Sequence, residues 1–218
     1  RLLSHLIDVG TPAGPSELIV LADETADGRL AGLDLIIESE HGPDSSAFLV
    51  TWSRKVAEDA MQAIPEFWAQ MGAQRSGFSK TVLGGAMGGI VLARDEAEAI
   101  AFCNDYAPEH LGVHSDEPFQ YLGRLEHAGE ILLGRHTPPT LGNFTIGVNH
   151  VLPTSGWAKT GSPLTVHNFM KRTSVAYVTA KGSPELARHA EVIATYEGFD
   201  GHANAVSETR NRLLRTNR

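Results

Sequence analysis

Short apolar runs alternate with longer helical stretches along most of this chain, and this alternation limits the folds that it can adopt. The predicted strands are Glu17–Asp23, Ala47–Thr51, Gly89–Ala93, Leu111–His114 and Ile131–Gly134. Continuous apolar runs of this kind are typical of strands buried on both faces of a parallel sheet. The helices predicted between them are Arg29–Glu40, Arg54–Met71, Glu96–Tyr106 and Pro118–Ala128. The order predicts an α/β fold, a three-layer sandwich with a mostly parallel sheet.

The alternation stops after Gly134, where a loop and then a helical tail are predicted. Residues 135–163 contain four prolines and several glycines, too many for a long regular element. Ordered loops of this length usually have a function, and we interpret the segment as a functional loop. Beyond it, the sequence predicts a strand at Ser174–Thr179 and a long helical stretch from Pro184, interrupted near Gly198–Gly201. Because this tail has few apolar faces large enough for a core, we expect it to pack on another domain or subunit.

Composition excludes some classes of partner. The net charge of −8 argues against nucleic acid, which needs a basic face. No apolar run is long enough to cross a bilayer, so we expect no membrane partner. The single cysteine, Cys103, excludes an internal disulfide and fits a reducing compartment, and its apolar helical face predicts a core position. We therefore expect a soluble, cytoplasmic protein that acts on a small molecule.

The glycine-rich run Gly84–Gly89 has the composition of a phosphate-binding loop. A dinucleotide-binding loop follows a strand and opens a helix, whereas this run precedes a predicted strand. We interpret it as a flexible connection.

Glu38 and His41 are three residues apart at the end of a predicted helix, so both side chains face the same side of it. A carboxylate and an imidazole at this spacing can chelate one divalent ion, and this ligand set suits zinc. The more common role of such a pair is to cap a helix or to meet solvent, and the pair alone does not decide between these roles.

Glu109 and His110 are adjacent between a predicted helix and a predicted strand. A histidine near its ordinary pKa can take and return protons at neutral pH, so the pair can act as an acid–base couple. A protonated histidine can also stabilise the C-terminus of a helix, and two residues alone favour that structural role.

Five short strings, taken in order, resemble histidinol dehydrogenases. They are GPSE at Gly14–Glu17, EHGPDS at Glu40–Ser45, PEHL at Pro108–Leu111, NHVLPT at Asn149–Thr154 and HANAV at His202–Val206. The string Lys171-Arg172-Thr173 adds to the match, and so does the presence of Glu197 before His202. Five strings in one order are far more specific than any one of them. The sequence therefore resembles the C-terminal half of this family, from about Asp8 onward.

The resemblance implies an enzyme that depends on zinc and NAD and oxidises L-histidinol to L-histidine through the aldehyde, in histidine biosynthesis. The family's zinc ligands fall here on Glu38, His41, Asn143 and His202. In the family, the metal holds and orients the substrate. The substrate-binding positions fall on Ser16, Glu38, His41, His110, Asn143, Glu197 and His202.

The family's catalytic pair falls on Glu109 and His110. His110 would accept the alcohol proton as hydride leaves for NAD, and Glu109 would activate the water that attacks the aldehyde. The resemblance also implies a homodimer in which the C-terminal tail is exchanged, with Glu197 and His202 reaching the neighbouring subunit's site. We accordingly divide the chain into a Rossmann-like α/β portion at 1–164, which carries catalytic and metal residues, and a helical dimerisation extension at 165–218.

Two positions depart from the family pattern. Family members typically carry Gln in place of Glu38 and Asp in place of Asn143, so one carboxylate is gained and one is lost. Because carboxylate and amide oxygens are both usable ligands, we predict that metal binding is retained. The family's NAD-binding segments lie mainly in its N-terminal half, so we expect no complete cofactor site here, and the cofactor-binding residues stay unknown.

Three functions remain open from the sequence. The first is oxidation of L-histidinol. The second is oxidation of another polar alcohol to its acid by the same residues, as in paralogues that act on sulfopropanediol, because both departures lie against the substrate. The third is a non-catalytic protein that binds a metal or a ligand. The intact pair Glu109 and His110 favours an enzyme.

Overall fold

The central element of the structure is a five-stranded sheet. The computed structural model describes residue 6 and residues 10–216, so that Asp8, where the family resemblance begins, lies outside the described residues. The contacts divide the chain into two units, Arg1–Lys171 and Arg172–Arg218. The first unit contains strands β1 Glu17–Ala22, β2 Ser46–Thr51, β3 Gly88–Leu92, β4 His110–His114 and β5 Glu130–Leu133.

All strand pairs of this sheet are parallel, in the order β3-β2-β1-β4-β5. Each of the five predicted strands is found with its ends within one residue of the predicted bounds. The prediction of a parallel α/β fold is confirmed.

The connections between the strands are mainly helical. The helices are α1 Gly28–Ser39, α2 Arg54–Trp68, α3 Ala73–Leu83, α4 Glu96–Tyr106 and α5 Pro139–Phe144. Short 3₁₀ turns occur at Pro118–Tyr121, Trp157–Lys159 and Val166–Phe169. Side chains of the preceding residues cap several of the helices: Asp27 accepts hydrogen bonds from two backbone N–H groups of α1, and Asp95 accepts one from Glu98 of α4.

Apolar side chains cover both faces of the sheet. Alternate residues of β1 point in opposite directions, so Leu18 and Val20 join a core with α1 and α2, whereas Ile19 and Leu21 join a core with α4. Cys103 lies fully buried in the second core, as predicted, and burial raises the pKa of its thiol to about 12. Helices on both faces of one sheet make the predicted three-layer sandwich.

One predicted helix of the first unit was wrong. The helix predicted at Pro118–Ala128 is only a four-residue 3₁₀ turn, Pro118–Tyr121. The chain after it is held by Asn104, whose side chain donates to the carbonyl of Arg124 and accepts from the N–H of Glu126. These bonds satisfy backbone groups that a helix would have satisfied, and Gly123 disfavours a helix there.

The helix predicted at Arg54–Met71 ends at Trp68, and α3 was not predicted. Gly72 precedes α3, and the residues that α3 buries are Ser76, Ser79 and Val82. Because two of these three are small and polar, α3 lacks the apolar stripe by which an amphipathic helix is recognised in a sequence.

The second unit consists of α6 Ser183–Tyr196, α7 Asp200–Val206 and α8 Glu208–Thr216. The predicted interruption is confirmed, because Gly198 adopts a φ of 74° between α6 and α7, a conformation that ends a helix. The strand predicted at Ser174–Thr179 is wrong: the segment is exposed and pairs with no strand among the described residues. Apolar residues such as Val175 and Tyr177 favour a strand, but a strand also needs a neighbour.

Polar side chains close the carboxyl-terminal edge of the sheet. The Asp23 carboxylate accepts hydrogen bonds from the hydroxyls of Thr25 and Tyr121, at 2.6 and 3.0 Å. Beside it, Nε2 of His114 lies 2.9 Å from a carboxylate oxygen of Asp34, and both side chains are buried. These contacts connect the ends of β1 and β4 to α1 and to the 3₁₀ turn at Pro118–Tyr121.

None of the helices in the described part of the chain is both long enough and apolar enough to span a membrane.

The close crossing of α1 and α2 depends on Gly28. A Cβ atom at this position would lie 2.5 Å from the carbonyl oxygen of Val56 and 2.7 Å from Cβ of Asp59. We predict that Gly28→Ala lowers the free energy of unfolding by about 1–3 kcal/mol, since the added methyl group must push backbone apart. Urea denaturation measures this. Gly77→Ala in α3 is the control, because nothing lies within 4 Å of the added atom and alanine favours a helix. A Gly28→Ala chain as stable as wild type contradicts the prediction.

Candidate active site

The candidate site lies at the amino-terminal edge of the sheet. Glu17, His110 and Glu130 are the first residues of β1, β4 and β5. The parallel register pairs Leu18 with His110, and His110 with Glu130, so the three strand starts are neighbours. Helix α1 follows β1 and runs back toward the same edge. Glu38 is near the end of this helix and therefore lies close to the three strand starts.

His110 is the most enclosed group of the site, with 3% of its side chain exposed. Its Nδ1 atom lies 3.0 Å from Oε2 of Glu130. Its Nε2 atom faces two other carboxylates, at 3.8 Å from Glu109 and 4.0 Å from Glu38. One imidazole therefore has carboxylates at both ring nitrogens, and the shortest contact is the one to Glu130.

Glu38 connects the predicted metal ligands of the first unit. Its carboxylate, only 1% exposed, lies 3.1 Å from Nδ1 of His41 and accepts a 2.8 Å hydrogen bond from the amide nitrogen of Asn143. The His41 contact has the predicted spacing of three residues, and Asn143 is supplied by α5, more than a hundred positions away in the sequence. The structure thus brings Glu38, His41, Asn143 and His110 to one place.

Glu109 and Glu17 form a second pair of buried carboxylates beside His110. The backbone N–H of Glu17 donates to Glu109 at 3.1 Å, and the N–H of Ser155 donates to the side chain of Glu17 at 2.8 Å. The other oxygen of the Glu17 carboxylate is buried without a hydrogen-bond partner among the described residues. Burial raises the pKa of both carboxyl groups, and their hydrogen bonds only partly oppose it.

The neighbouring carboxyl groups also shift the pKa of His110. Burial alone would lower the pKa of the imidazole, but the hydrogen bond to Glu130 and the charges of the neighbouring carboxylates outweigh it, so the pKa is raised. The site therefore has an imidazole with increased proton affinity beside carboxyls that also hold protons more tightly than usual.

The local backbone positions the predicted catalytic pair. Helix α4 ends at Ala107, which has a φ of 55°, unusual for a residue with a side chain. This turn and the following Pro108 direct Glu109 and His110 into the start of β4. Ser16 lies directly before β1, where its carbonyl accepts a hydrogen bond from the N–H of Ser46. It is half-buried at the same edge of the sheet.

Glu197 and His202 belong to the second unit, Arg172–Arg218. Both line an apolar hollow of about 390 Å³ between α6 and α7. The His202 ring lies 5.3 Å from the ring of Phe199, measured between centroids. The predicted metal and substrate residues are thus divided between the two units.

The residues of the first unit fit a zinc ion in their chemistry, because carboxylate oxygen, imidazole nitrogen and amide oxygen are all usual donors. The Glu38 carboxylate lies within 3.1 Å of both His41 and Asn143. No group of three or more His, Cys, Asp or Glu side chains that could hold a metal occurs in the described part of the chain. A fourth donor of the predicted set, His202, is in the other unit.

The glycine-rich run of this chain does not stand where a dinucleotide-binding loop would. The glycine-rich run Gly84–Gly89 joins α3 to β3, so it precedes a strand, as predicted. Nucleotides in sheets of this kind bind at the carboxyl ends of the strands, where Asp23, Thr25 and Tyr121 here satisfy one another.

The sequence analysis assigned no role to two buried carboxylates of this site, Glu17, which lies in the GPSE string, and Glu130. A recognisable pattern marks them: each is an acidic first residue of an otherwise apolar strand, ELIVLA and EILL. The strand that lies between them in the sheet begins with His110. Charged residues are almost never fully buried unless they are paired, so an acidic residue that opens a buried strand indicates a paired or functional group.

Comparisons with known proteins agree with this picture. The family model for histidinol dehydrogenase matches residues 1–210. Histidinol dehydrogenase homolog 2 of Mesorhizobium japonicum is 58% identical over 212 residues, which cover 97% of this chain and 48% of that protein. The histidinol dehydrogenase of Synechocystis sp. is 47% identical over 213 residues, which cover 98% of this chain and 49% of that protein.

A solved structure is also similar. The crystal structure of histidinol dehydrogenase from Elizabethkingia anophelis has a TM-score of 0.87 at 30% sequence identity, and the match covers 94% of this chain and 46% of that one. Fold and site together define an α/β protein with a buried cluster of carboxyl groups around one imidazole. The chain belongs to the histidinol dehydrogenase family. It spans about half the length of the curated relatives cited above.

The raised pKa of Glu109 has a consequence for stability. A carboxyl whose pKa is higher in the folded state than its ordinary value of 4.5 favours folding when protonated. Its contribution is lost as the pH rises through the folded pKa. We predict that Glu109→Gln, which does not ionise, raises the free energy of unfolding at pH 7 by about 1 kcal/mol. The gain should vanish below pH 4.5.

Urea denaturation of Glu109→Gln and wild type between pH 4 and pH 8 measures this difference. Glu126→Gln serves as the control, because Glu126 is exposed and its replacement should leave stability unchanged at every pH. A Glu109→Gln chain that is less stable than wild type at pH 7 would show that the ionised carboxylate stabilises the fold.

Proposed function

We propose that this chain provides the acid–base and metal-holding residues of an NAD-dependent, zinc-containing dehydrogenase that oxidises L-histidinol to L-histidine through the aldehyde. One observation carries the proposal: Glu38 contacts both His41 and Asn143, and the same carboxylate lies 4.0 Å from His110. The three candidate metal ligands of the first unit and the candidate proton acceptor are therefore neighbours, as oxidation of a metal-held alcohol requires.

The charge of the cluster supports a cationic occupant. The carboxyl groups of Glu17, Glu38, Glu109 and Glu130 lie around the imidazole of His110, so that acidic groups outnumber it. A buried excess of negative charge attracts a divalent ion or the amino group of a substrate. An amino alcohol such as L-histidinol carries such a group next to the carbon that is oxidised.

His110 and Glu109 would handle the protons of the two oxidation steps. In the first step, Nε2 of His110 accepts the hydroxyl proton while the alcohol carbon loses hydride. In the second step, Glu109 takes a proton from the water that adds to the aldehyde, and the hydrate then loses hydride to give the acid. Increased proton affinity suits both groups to the role of proton acceptor. NAD would accept the hydrides.

Zinc would be held by Glu38, His41, Asn143 and His202, and when bound it would hold and orient the alcohol. Ser16 and Glu197 would contact the substrate, together with the zinc ligands and His110. We further propose a homodimer in which the C-terminal extension is exchanged, so that Glu197 and His202 complete the site of the neighbouring subunit. The exposed apolar residues of α6, among them Val192 and Ile193, support an interface role.

A second candidate function is oxidation of another polar alcohol, such as sulfopropanediol, to its acid. Two observations favour it. Glu38 and Asn143 differ from the family's usual pair at positions against the substrate. In addition, the Mesorhizobium japonicum relative, at 58% identity, is named a homolog of histidinol dehydrogenase, whereas the Synechocystis enzyme of that name is 47% identical. The proton-handling residues would be the same.

Metal content tests the first part of the proposal. We predict about one zinc per chain in the purified wild type and loss of most of it in His41→Ala and in His202→Ala. The matched controls are His136→Ala and His189→Ala, which remove exposed histidines of the first and second units and should retain zinc. Zinc that persists in His41→Ala contradicts the assigned ligand set. A wild type that binds no zinc favours a remnant without the metal site.

Activity tests the second part. We predict zinc- and NAD-dependent oxidation of L-histidinol, with kcat reduced about 100-fold or more in His110→Gln because the proton acceptor is removed. Spectroscopic measurement of NADH formation follows the reaction, with sulfopropanediol assayed in parallel. Higher kcat/KM for sulfopropanediol selects the second candidate. Zinc binding with no oxidation of either alcohol leaves a non-catalytic metal-binding protein.

A further inference from the structure

Glu130 occupies an unusual position for an acidic residue. It opens β5, directly beside His110 in the parallel register, and 7% of its side chain is exposed. Its Oε2 atom lies 3.0 Å from Nδ1 of His110, whereas Oε1 is buried without a hydrogen-bond partner among the described residues. A buried carboxylate with one unpaired oxygen is costly, which indicates that its contact with His110 has a function.

Helix α5 packs directly against this carboxylate. A Cβ atom at Gly142 would lie 2.9 and 3.0 Å from the two oxygens of Glu130, so the carboxylate would have to shift if this residue had a side chain. The next residue of α5 is Asn143, whose amide contacts Glu38. Glu130 therefore lies between the imidazole of His110 and the helix that carries one of the proposed metal ligands.

The two nitrogens of His110 compete for one proton when the ring is neutral. Acceptors lie on both sides: Glu130 at 3.0 Å from Nδ1, and two carboxylates at 3.8 and 4.0 Å from Nε2. The closest acceptor retains the proton, because hydrogen bonds weaken with distance. Only the tautomer with the proton on Nδ1 leaves a lone pair on Nε2 to receive the proton of an alcohol.

We propose that Glu130 is a positioning residue for the oxidation: it holds the proton of His110 on Nδ1, directs Nε2 toward Glu38 and Glu109, and stabilises the imidazolium that forms. This assignment rests on the proposed function, in which His110 accepts the alcohol proton. The Glu130 carboxylate does not touch the substrate in this role, and it acts only through His110.

Two substitutions separate the hydrogen bond from the bulk of the side chain. Glu130→Met keeps the length but removes the acceptor, and Glu130→Gln keeps an oxygen that can accept from Nδ1–H. Glu130→Gln has nearly the shape of the native residue, and in Glu130→Met the imidazole keeps Glu38 and Glu109 as neighbours, so we expect both variants to fold. Thermal unfolding of both variants checks this directly.

The first measurement is ¹⁵N NMR of the histidine-labelled chain, at a pH where His110 is neutral, with its resonances assigned by their loss in His110→Gln. We predict the Nδ1–H tautomer in wild type and in Glu130→Gln, and the Nε2–H tautomer in Glu130→Met. This readout requires no enzymatic activity. An unchanged Nδ1–H tautomer in Glu130→Met overturns the proposal.

The second measurement is steady-state kinetics with the alcohol that wild type oxidises. We predict that Glu130→Met lowers kcat about 10- to 100-fold with little change in KM, and that Glu130→Gln recovers most of this loss. Equal losses in both variants contradict a role through the hydrogen bond. If wild type oxidises neither alcohol, the proposed function fails, and the tautomer measurement still decides what Glu130 does.

Gly142→Ala offers a third, independent test. The added methyl group would displace the Glu130 carboxylate without changing its charge. We expect a mixture of the two tautomers of His110 in this variant. Wild-type NMR signals in Gly142→Ala together with a normal fold would show that the contact between α5 and Glu130 does not hold the imidazole.

Discussion

Parallel pairing of β1, β4 and β5 is the constraint on which the site depends. In this register Leu18 is the partner of His110, and His110 is the partner of Glu130, so the starts of three strands meet at one edge. Residues that are far apart in the sequence become neighbours without any long loop to hold them. A shift of one residue between β4 and β5 would turn one set of side chains to the opposite face and separate the imidazole from Glu130.

The electrostatics of this edge oppose the stability of the fold. Several carboxylates share a buried volume with one imidazole, and burial raises the pKa of two of them, Glu17 and Glu109. The backbone compensates in part, through N–H donors of Glu17 and Ser155. Groups that hold protons tightly and face one another are suited to proton transfer, and they are retained at the expense of stability in many active sites.

The sequence alone predicted most of the scaffold. Continuous apolar runs located all five strands of the sheet, because burial on both faces leaves a clear pattern. Helix α3 was not predicted because two of the three residues that it buries are serines. The helix predicted at Pro118–Ala128 was wrong because hydrogen bonds from the Asn104 side chain replace the hydrogen bonds of a helix there. Local patterns contain no information on such tertiary contacts. The strand predicted at Ser174–Thr179 failed for a similar reason, because pairing is a property of two segments.

Less of the candidate site could be predicted. The spacing of Glu38 and His41 indicated that the two side chains would meet, and they do. The resemblance to the family supplied the remaining positions, whose roles stay predictions. Glu130 was missed because its importance depends on strand order: β4 and β5 are neighbours only in the folded sheet. Its partner in the register, His110, was singled out because it lies in the PEHL string that resembles the family, and its catalytic role stays a prediction.

The closed carboxyl-terminal edge has a consequence for how such a protein can change over time. In many sheets of this type the carboxyl edge binds ligands, so substitutions there alter function. Here hydrogen bonds within the protein hold that edge together. Asp23 accepts from Thr25 and Tyr121, and His114 contacts Asp34. The candidate site lies at the opposite end of the same strands. Variation in substrate preference can therefore accumulate at one end while the other keeps the strands in alignment.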